Sequence, residues 1–237
     1  MSGWAPKRFW QAATVVASPE GYGIALDGRP VKTPAKAALL VPTHRLAAAL
    51  AAEWDAQVNK VDPATMPLTR AANAAIDKVA PQHDDVATYI AAYGETDLLC
   101  YRAEAASPLA ARQAQGWDPV LDWADQALGA RLVVTQGVVP VAQPAAALSA
   151  LSARVRAMDA WQLAALHDLV GISGSLLLGL AITAGRLRAE EAWALSRIDE
   201  DWQAEQWGLD DEAAAHAGLK RQALLDADRF WGMSRQL

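Results

Sequence analysis

The sequence is poor in cysteine, phenylalanine and histidine: 237 residues hold one Cys, two Phe and four His. A lone thiol, Cys100, excludes an internal disulfide and any paired-cysteine redox or zinc motif, and it suits a reducing cytoplasm. Positive charge is also short. With 21 Lys and Arg against 27 Asp and Glu, the net charge is -6, so the chain lacks the basic surface needed to neutralise nucleic-acid phosphates or to hold an anionic membrane. The four histidines, His44, His83, His167 and His216, are scattered, none in an HExxH or other ligand spacing, so no metal is expected.

Nucleotide chemistry is missing as well. No GxxxxGK[ST] run is present to cradle phosphate with backbone amides, and no GxGxxG opens a helix, so no nucleotide and no other cofactor is expected. Gly171-Ile172-Ser173-Gly174-Ser175 comes nearest to a nucleophile elbow, but a glycine is required where Ser175 stands. His167-Asp168 are adjacent in a helical pattern, where neighbours in sequence do not face each other, and read as a polar pair near the core. Cys100, inside Leu98-Leu99-Cys100-Tyr101, reads as a buried inert thiol.

The N-terminal residues Met1 to Arg8 lack the apolar core of a secretory signal and the Arg/Ser-rich stretch of an organellar presequence, so the chain is expected to act where it is made. The charge-free run Leu169 to Gly185 is too short for a bilayer span and is interrupted by glycines and serines, which makes it a buried helix with no membrane insertion.

What is present is a change of period along the chain. Short β-rich runs, Phe9 to Ala17, Tyr22 to Leu26, Val31 to Thr33 and Ala38 to Val41, are separated by turn residues that include Asp27-Gly28, and predict a small antiparallel sheet. From Thr43, a plausible N-cap, Leu46, Leu50 and Trp54 recur at helical spacing. The fold class is therefore α+β: a β-rich N-terminal domain over residues 1–42 and a larger α-helical bundle over 43–237, with short strands near 96–101 and 131–134. Helices are expected from Leu68 to Val79, from Pro81 toward Tyr93 and from Pro108 to Leu128, and after Pro144 the Ala/Leu-rich sequence is helical with breaks near Met158-Asp159, Gly185 and Gly208. Ten tryptophans are many for this length. Trp4, Trp10, Trp54, Trp117 and Trp123 fall on apolar or amphipathic patterns and are assigned to the core. The segment Asp62 to Thr69, stiffened by two prolines, reads either as a recognition loop or as a linker.

Ala192 to Gly208 is the most informative stretch. On a continuous helix Trp193, Ser196, Glu200, Gln203 and Trp207 share one face, while Leu195, Ile198 and Trp202 share the opposite one. One face can be buried in the bundle and the other offered to a partner, with aromatics supplying area and Glu200 and Gln203 setting register. The alternative is a fully buried helix with Glu200 paired internally. An enzymatic reading, a helical hydrolase or lyase using Glu200 and Glu205 as acid and base, is weakened because residues five apart diverge by about 140° on a helix of 3.6 residues per turn.

A set of short motifs in fixed order resembles a known family. Lys7-Arg8-Phe9-Trp10, Leu26-Asp27-Gly28-Arg29-Pro30-Val31-Lys32-Thr33-Pro34, Glu53-Trp54-Asp55-Ala56-Gln57, Met66-Pro67-Leu68-Thr69, Thr96-Asp97-Leu98-Leu99-Cys100-Tyr101 and Trp117-Asp118-Pro119 are similar to ATP12-type F1 assembly chaperones, as are Glu191-Ala192-Trp193, Ile198-Asp199-Glu200-Asp201-Trp202-Gln203 and Trp207-Gly208. The resemblance implies a β domain followed by a helical domain, no enzymatic activity, and an ATP-independent chaperone that binds the unassembled alpha subunit of F1 ATP synthase and promotes F1 assembly. It implies that the acidic residue of the family's C-terminal helix is Glu200, followed by Gln203 and Trp207. Asp199, Asp201 and Trp202 depart conservatively from residues common in the family. The family's mitochondrial members act in the matrix, and this chain is expected to be a bacterial, cytoplasmic version. Trp193, Glu200, Gln203 and Trp207 are thus the expected partner-binding residues, with the alpha subunit as partner.

Overall fold

The computed structural model describes residues 7–235; Trp4 and the N-terminal segment before Lys7 lie outside the described residues. The chain forms two compact units. The first holds residues up to His83 together with Ala160–Ala165 and the C-terminal stretch from Arg229, and the second holds Asp84–Asp159 and Leu166–Asp228.

The first unit opens with the expected small antiparallel sheet. Strand β1 (Ala13–Ser18) pairs with β2 (Gly21–Leu26), which also pairs with β3 (Arg29–Pro30) and β4 (Leu40–Val41). The β2–β3 turn is Asp27-Gly28, both at positive φ (46° and 80°), the backbone that a two-residue hairpin with right-handed strand twist demands. Asp27 tolerates it because its carboxylate is occupied by the backbone N–H groups of Gln11 and Ala12, which hold its pKa below the usual carboxylate range.

Helix α1 (His44–Asp55) starts where expected, with Thr43 Oγ1 accepting from Leu46 N, and buries Leu46 and Leu50 completely. Trp54 is half-buried and meets the buried Trp10 edge-to-face at 5.4 Å. Ahead of the sheet, the Arg8 guanidinium donates to the carbonyls of Trp10, Gln11, Asp55 and Gln57, fastening the chain's entry to the end of α1. Helix α2 (Pro67–Ala74) runs through a π turn and a 3-10 turn into α3 (His83–Ala92).

The second unit is built on α4 (Pro108–Leu128), which is bounded as its sequence requires: Ser107 caps its start and Gly129, at φ 65°, ends it in the left-handed conformation. Around it lie α5 (Ala145–Arg156), the later part of α6 (Ala160–Ser173), α7 (Leu176–Thr183), α8 (Ala189–Ser196), α9 (Ile198–Trp207) and the earlier part of α10 (Asp211–Ser234). Trp117, Leu151, Leu166, Leu176, Leu177 and Leu178 are fully buried. The two short strands of this unit lie at β5 (Tyr101–Arg102) and β6 (Thr135–Gln136), paired in parallel. A 3-10 turn at Leu98–Cys100 precedes β5 because the Asp97 carboxylate accepts from Leu99 N and curls the chain before it can extend. Val133 in turn has its N–H and C=O both taken by the Gln143 side-chain amide.

Two expected single helices are each two. The Leu169 to Gly185 run breaks at Gly174, which sits at φ 72°, so that Ser175 can cap α7 by accepting from Leu178 N. The Ala192 to Gly208 run breaks at Arg197, between α8 and α9. Among the described residues no helix is long and apolar enough to cross a membrane.

Candidate functional site

The break at Arg197 has a local cause. Ser196 Oγ donates to the Trp193 carbonyl at 2.8 Å, the acceptor that Arg197 N–H would meet in a continuing α-helix. Arg197 N–H bonds to Ala194 instead, and Arg197 takes φ -107° and ψ 4° before its own carbonyl accepts from Asp201 and restarts the helix. Ser196 is buried in this arrangement, and does not share an outward face with Glu200.

One side of α9 is fixed to α4. Asp199 accepts from Gln113 Nε2 at 2.6 Å, and Glu205 accepts from Arg112 through both carboxylate oxygens at 2.7 Å. Trp117 Nε1 donates to the Leu195 carbonyl at 2.8 Å. Leu195 and Ile198 close over Gly116, where an added Cβ would stand 2.7 Å from Ile198 Cδ1. Of the face that the spacing predicts, Ile198 is buried, while Leu195 and Trp202 are half-buried.

The other side of α9 is open. Trp193, Arg197, Glu200, Gln203, Ala204 and Trp207 line a groove of about 590 Å³ that continues past Gly208 onto α10. All four sequence-predicted site residues meet there, although a helix break separates Trp193 from the other three. Glu200 is not a buried core carboxylate: its side chain is 49% exposed and pairs with Arg197 at 3.0 Å. Trp207 is 80% exposed, a large apolar area left in water where burial of an aromatic is strongly favoured.

Arg197, which helical spacing places between the two faces and outside the expected site set, lines the groove as well. Its guanidinium lies over the Trp193 ring at 5.7 Å, pairs with Glu200 and comes within 3.9 Å of Asp201, so one half-buried cation orders both the aromatic and the acidic members of the groove. The signal was available as an Arg three residues before a Glu. Glu205 faces α4 and Glu200 faces the groove, so the two carboxylates of the enzymatic reading do not share a space.

Outside the groove, His167 Nδ1 and Asp168 Oδ1 stand 3.0 Å apart, contrary to the expectation for sequence neighbours, because both side chains are about half exposed and bend toward one another. The hydrogen bond to Asp168 raises the His167 pKa. Tyr89 stacks on His167 at 5.9 Å. Cys100 is buried, as expected, and burial pushes its thiol up to about 12. Among the described residues no group of three His, Cys, Asp or Glu side chains is placed to hold a metal ion.

A small N-terminal antiparallel sheet followed by helices, with an acid- and tryptophan-lined groove near the end of the chain, defines an α+β protein of a class that is structurally characterised. The fold superposes on Atp12 from Paracoccus denitrificans with a TM-score of 0.93 at 50% identity, covering 97% of this chain and 98% of that one. A chaperone candidate from Agrobacterium tumefaciens matches with a TM-score of 0.92 at 43% identity, over 97% of this chain and 87% of the other. The mitochondrial protein atp12 of Schizosaccharomyces pombe is 27% identical over 87% of this chain and 75% of its own length. The family model described as ATP12 chaperone protein matches residues 7–125. The chain belongs to the ATP12 chaperone family.

Proposed function

We propose that this chaperone binds the unassembled alpha subunit of F1 ATP synthase through the α9 groove and promotes F1 assembly without using nucleotide. The observation that carries the reading is the convergence of Trp193, Glu200, Gln203 and Trp207 on one open groove while the opposite side of α9 is bonded to α4. Such a helix is held rigidly by one face and offers the other, which is how an interface anchor is pre-organised. An isolated alpha subunit exposes the surface that later rests on its neighbour, and surfaces of that kind aggregate until paired. Covering the patch is sufficient. If the chaperone binds less tightly than the final subunit contact, mass action transfers the client without an energy source.

The test is co-expression of the tagged chain with the alpha subunit, followed by purification. The wild type retains the subunit. Glu200→Lys melts at the wild-type temperature, because a half-exposed position tolerates a changed charge, yet loses the subunit by reversing charge at the contact. Glu200→Gln, which keeps the shape, falls between them. A wild-type chain that retains no alpha subunit overturns the proposal, and a Glu200→Lys variant that retains it normally removes Glu200 from the site.

A further inference from the structure

We propose, resting on the reading above, that the exposed first half of α10 is the second wall of the client site, and that the groove between α9 and α10 takes one α-helix of the client. From Asp211 to Ala223 every residue of α10 is exposed save the half-buried Ala217, and buried positions begin only at Leu224. Leu209 and Leu219 are exposed at 79% and 72%. A stretch of helix with no tertiary partner has little stability of its own. This one is kept in place by the Asp210 cap, which accepts from Glu212 N and Ala213 N, and by the packed residues that follow.

The groove-facing side of this segment is small and then basic. Ala213, Ala214, Ala217 and Gly218 line it together with His216, followed by Lys220 and Arg221. Those positions repeat at three and four residues, so they form one continuous face. The four small residues leave a strip along which a second helix can approach closely. The opposing wall on α9 repeats in the same way through Glu200, Gln203, Ala204 and Trp207.

The walls also select the kind of segment. Both are helices whose backbone groups are satisfied internally, so they have no edge to which an extended strand could add. A helix brings its own satisfied backbone and loses nothing on entry. The charges then fix its faces. Glu200 and Asp201 share the single cation Arg197 on the α9 side, whereas Lys220 and Arg221 have no ion-pair partner among the described residues. The complementary helix turns carboxylates toward Lys220 and Arg221, a basic side chain toward Glu200, and apolar residues toward Trp207 and the alanines.

The test uses the full chain with newly translated F1 alpha subunit. A Cβ added at Gly218 meets nothing within 4 Å, so Gly218→Leu starts from open space and adds bulk to the groove. It is expected to melt no lower than wild type and to weaken capture by about ten-fold or more. The double reversal Lys220→Glu with Arg221→Glu weakens capture similarly, and more so at low salt. A photoreactive side chain at Ala217 is expected to label client residues spaced three or four apart. Labelling at alternate residues means an extended segment and overturns the helix. Wild-type capture by both Gly218→Leu and the double reversal overturns the second wall; if Glu200→Lys still loses the client, the functional reading stands without it, and if the wild type captures nothing that reading fails instead.

Discussion

Ser175 Oγ donates to Asp97 Oδ1 at 2.7 Å across 78 residues of sequence, and both side chains are fully buried. The same hydroxyl accepts from Leu178 N, while Asp97 also accepts from Leu99 N and Leu177 N. One carboxylate thus caps the start of a 3-10 turn and the start of α7. Burial pushes its pKa up to about 6, against the opposing pull of these donors. Between about pH 4 and 6 the folded chain holds a proton that the unfolded chain has released, so this group's contribution to stability falls as pH rises through that window and is least above pH 6. Asp97→Asn cannot titrate. Urea unfolding at pH 5 and pH 7 is expected to show a flatter pH dependence in the variant than in wild type. The variant also loses about 1–3 kcal/mol because its amide NH2 confronts Leu177 N–H. An unchanged slope would clear Asp97 of the effect.

Glu53 supplies what α2 lacks at its own start. Met66 occupies the N-cap position and makes no capping bond, but the Glu53 carboxylate reaches across from α1 to accept from Leu68 N, Thr69 N and Thr69 Oγ1 at 2.6–2.8 Å. Glu53→Ala strands three donors at a part-buried site and is expected to cost on the order of 2 kcal/mol in denaturant unfolding. Glu53→Gln, with one acceptor oxygen, recovers part of that.

Glycine at 116 and glycine at 218 are both helical, and they predict opposite outcomes. Replacing a helical glycine by alanine normally gains about 0.5–1 kcal/mol. Gly218→Ala should show that gain. At Gly116 the new Cβ meets Ile198 Cδ1 at 2.7 Å and Leu195 Cδ2 at 3.0 Å, so Gly116→Leu is expected to push α8 and α9 away from α4, lowering the melting temperature and client capture together. A stable Gly116→Leu variant would mean that α9 is docked less tightly than Trp117 and Gln113 suggest.

The elements that could be read from the sequence are those whose signals are local. Thr43 with Leu46 and Leu50, Ser107 and Gly129 bounding α4, and the Asp27-Gly28 hairpin each carry their cause within a few residues. The two helix breaks also have causes within a few residues, but no residue type marks them clearly. Gly174-Ser175 lies in an apolar run where the cap is completed by the distant Asp97, and Arg197 breaks a Trp- and Glu-rich helix through a serine side chain, with neither glycine nor proline to mark it. The grouping of Glu200, Gln203 and Trp207 along the groove was legible because about two turns of one helix bring them to one side. The α10 side of the groove was not, since it meets α9 only after a turn at Gly208 whose course no spacing reveals.

Two tryptophans test whether the groove is a contact or merely a surface feature. Trp117 is fully buried in α4 and spends its indole N–H on the Leu195 carbonyl, so Trp117→Ala opens a cavity and strands an acceptor, at a cost of about 3–5 kcal/mol that can unfold the unit. Trp207, at the end of α9, is 80% exposed, and Trp207→Ala is expected to change unfolding free energy by no more than about 0.5 kcal/mol. Its effect belongs to binding. An exposed aromatic beside a charged pair is the usual form of an interface hot spot, and its truncation typically costs about 2 kcal/mol or more, a loss of roughly thirty-fold in affinity. Circular-dichroism melts of both variants, paired with alpha-subunit capture at several client concentrations, separate the two roles. A normal melt with weakened capture for Trp207→Ala makes it a contact residue. Normal capture would show that the client passes over the rim of the groove, whatever Glu200 contributes further in.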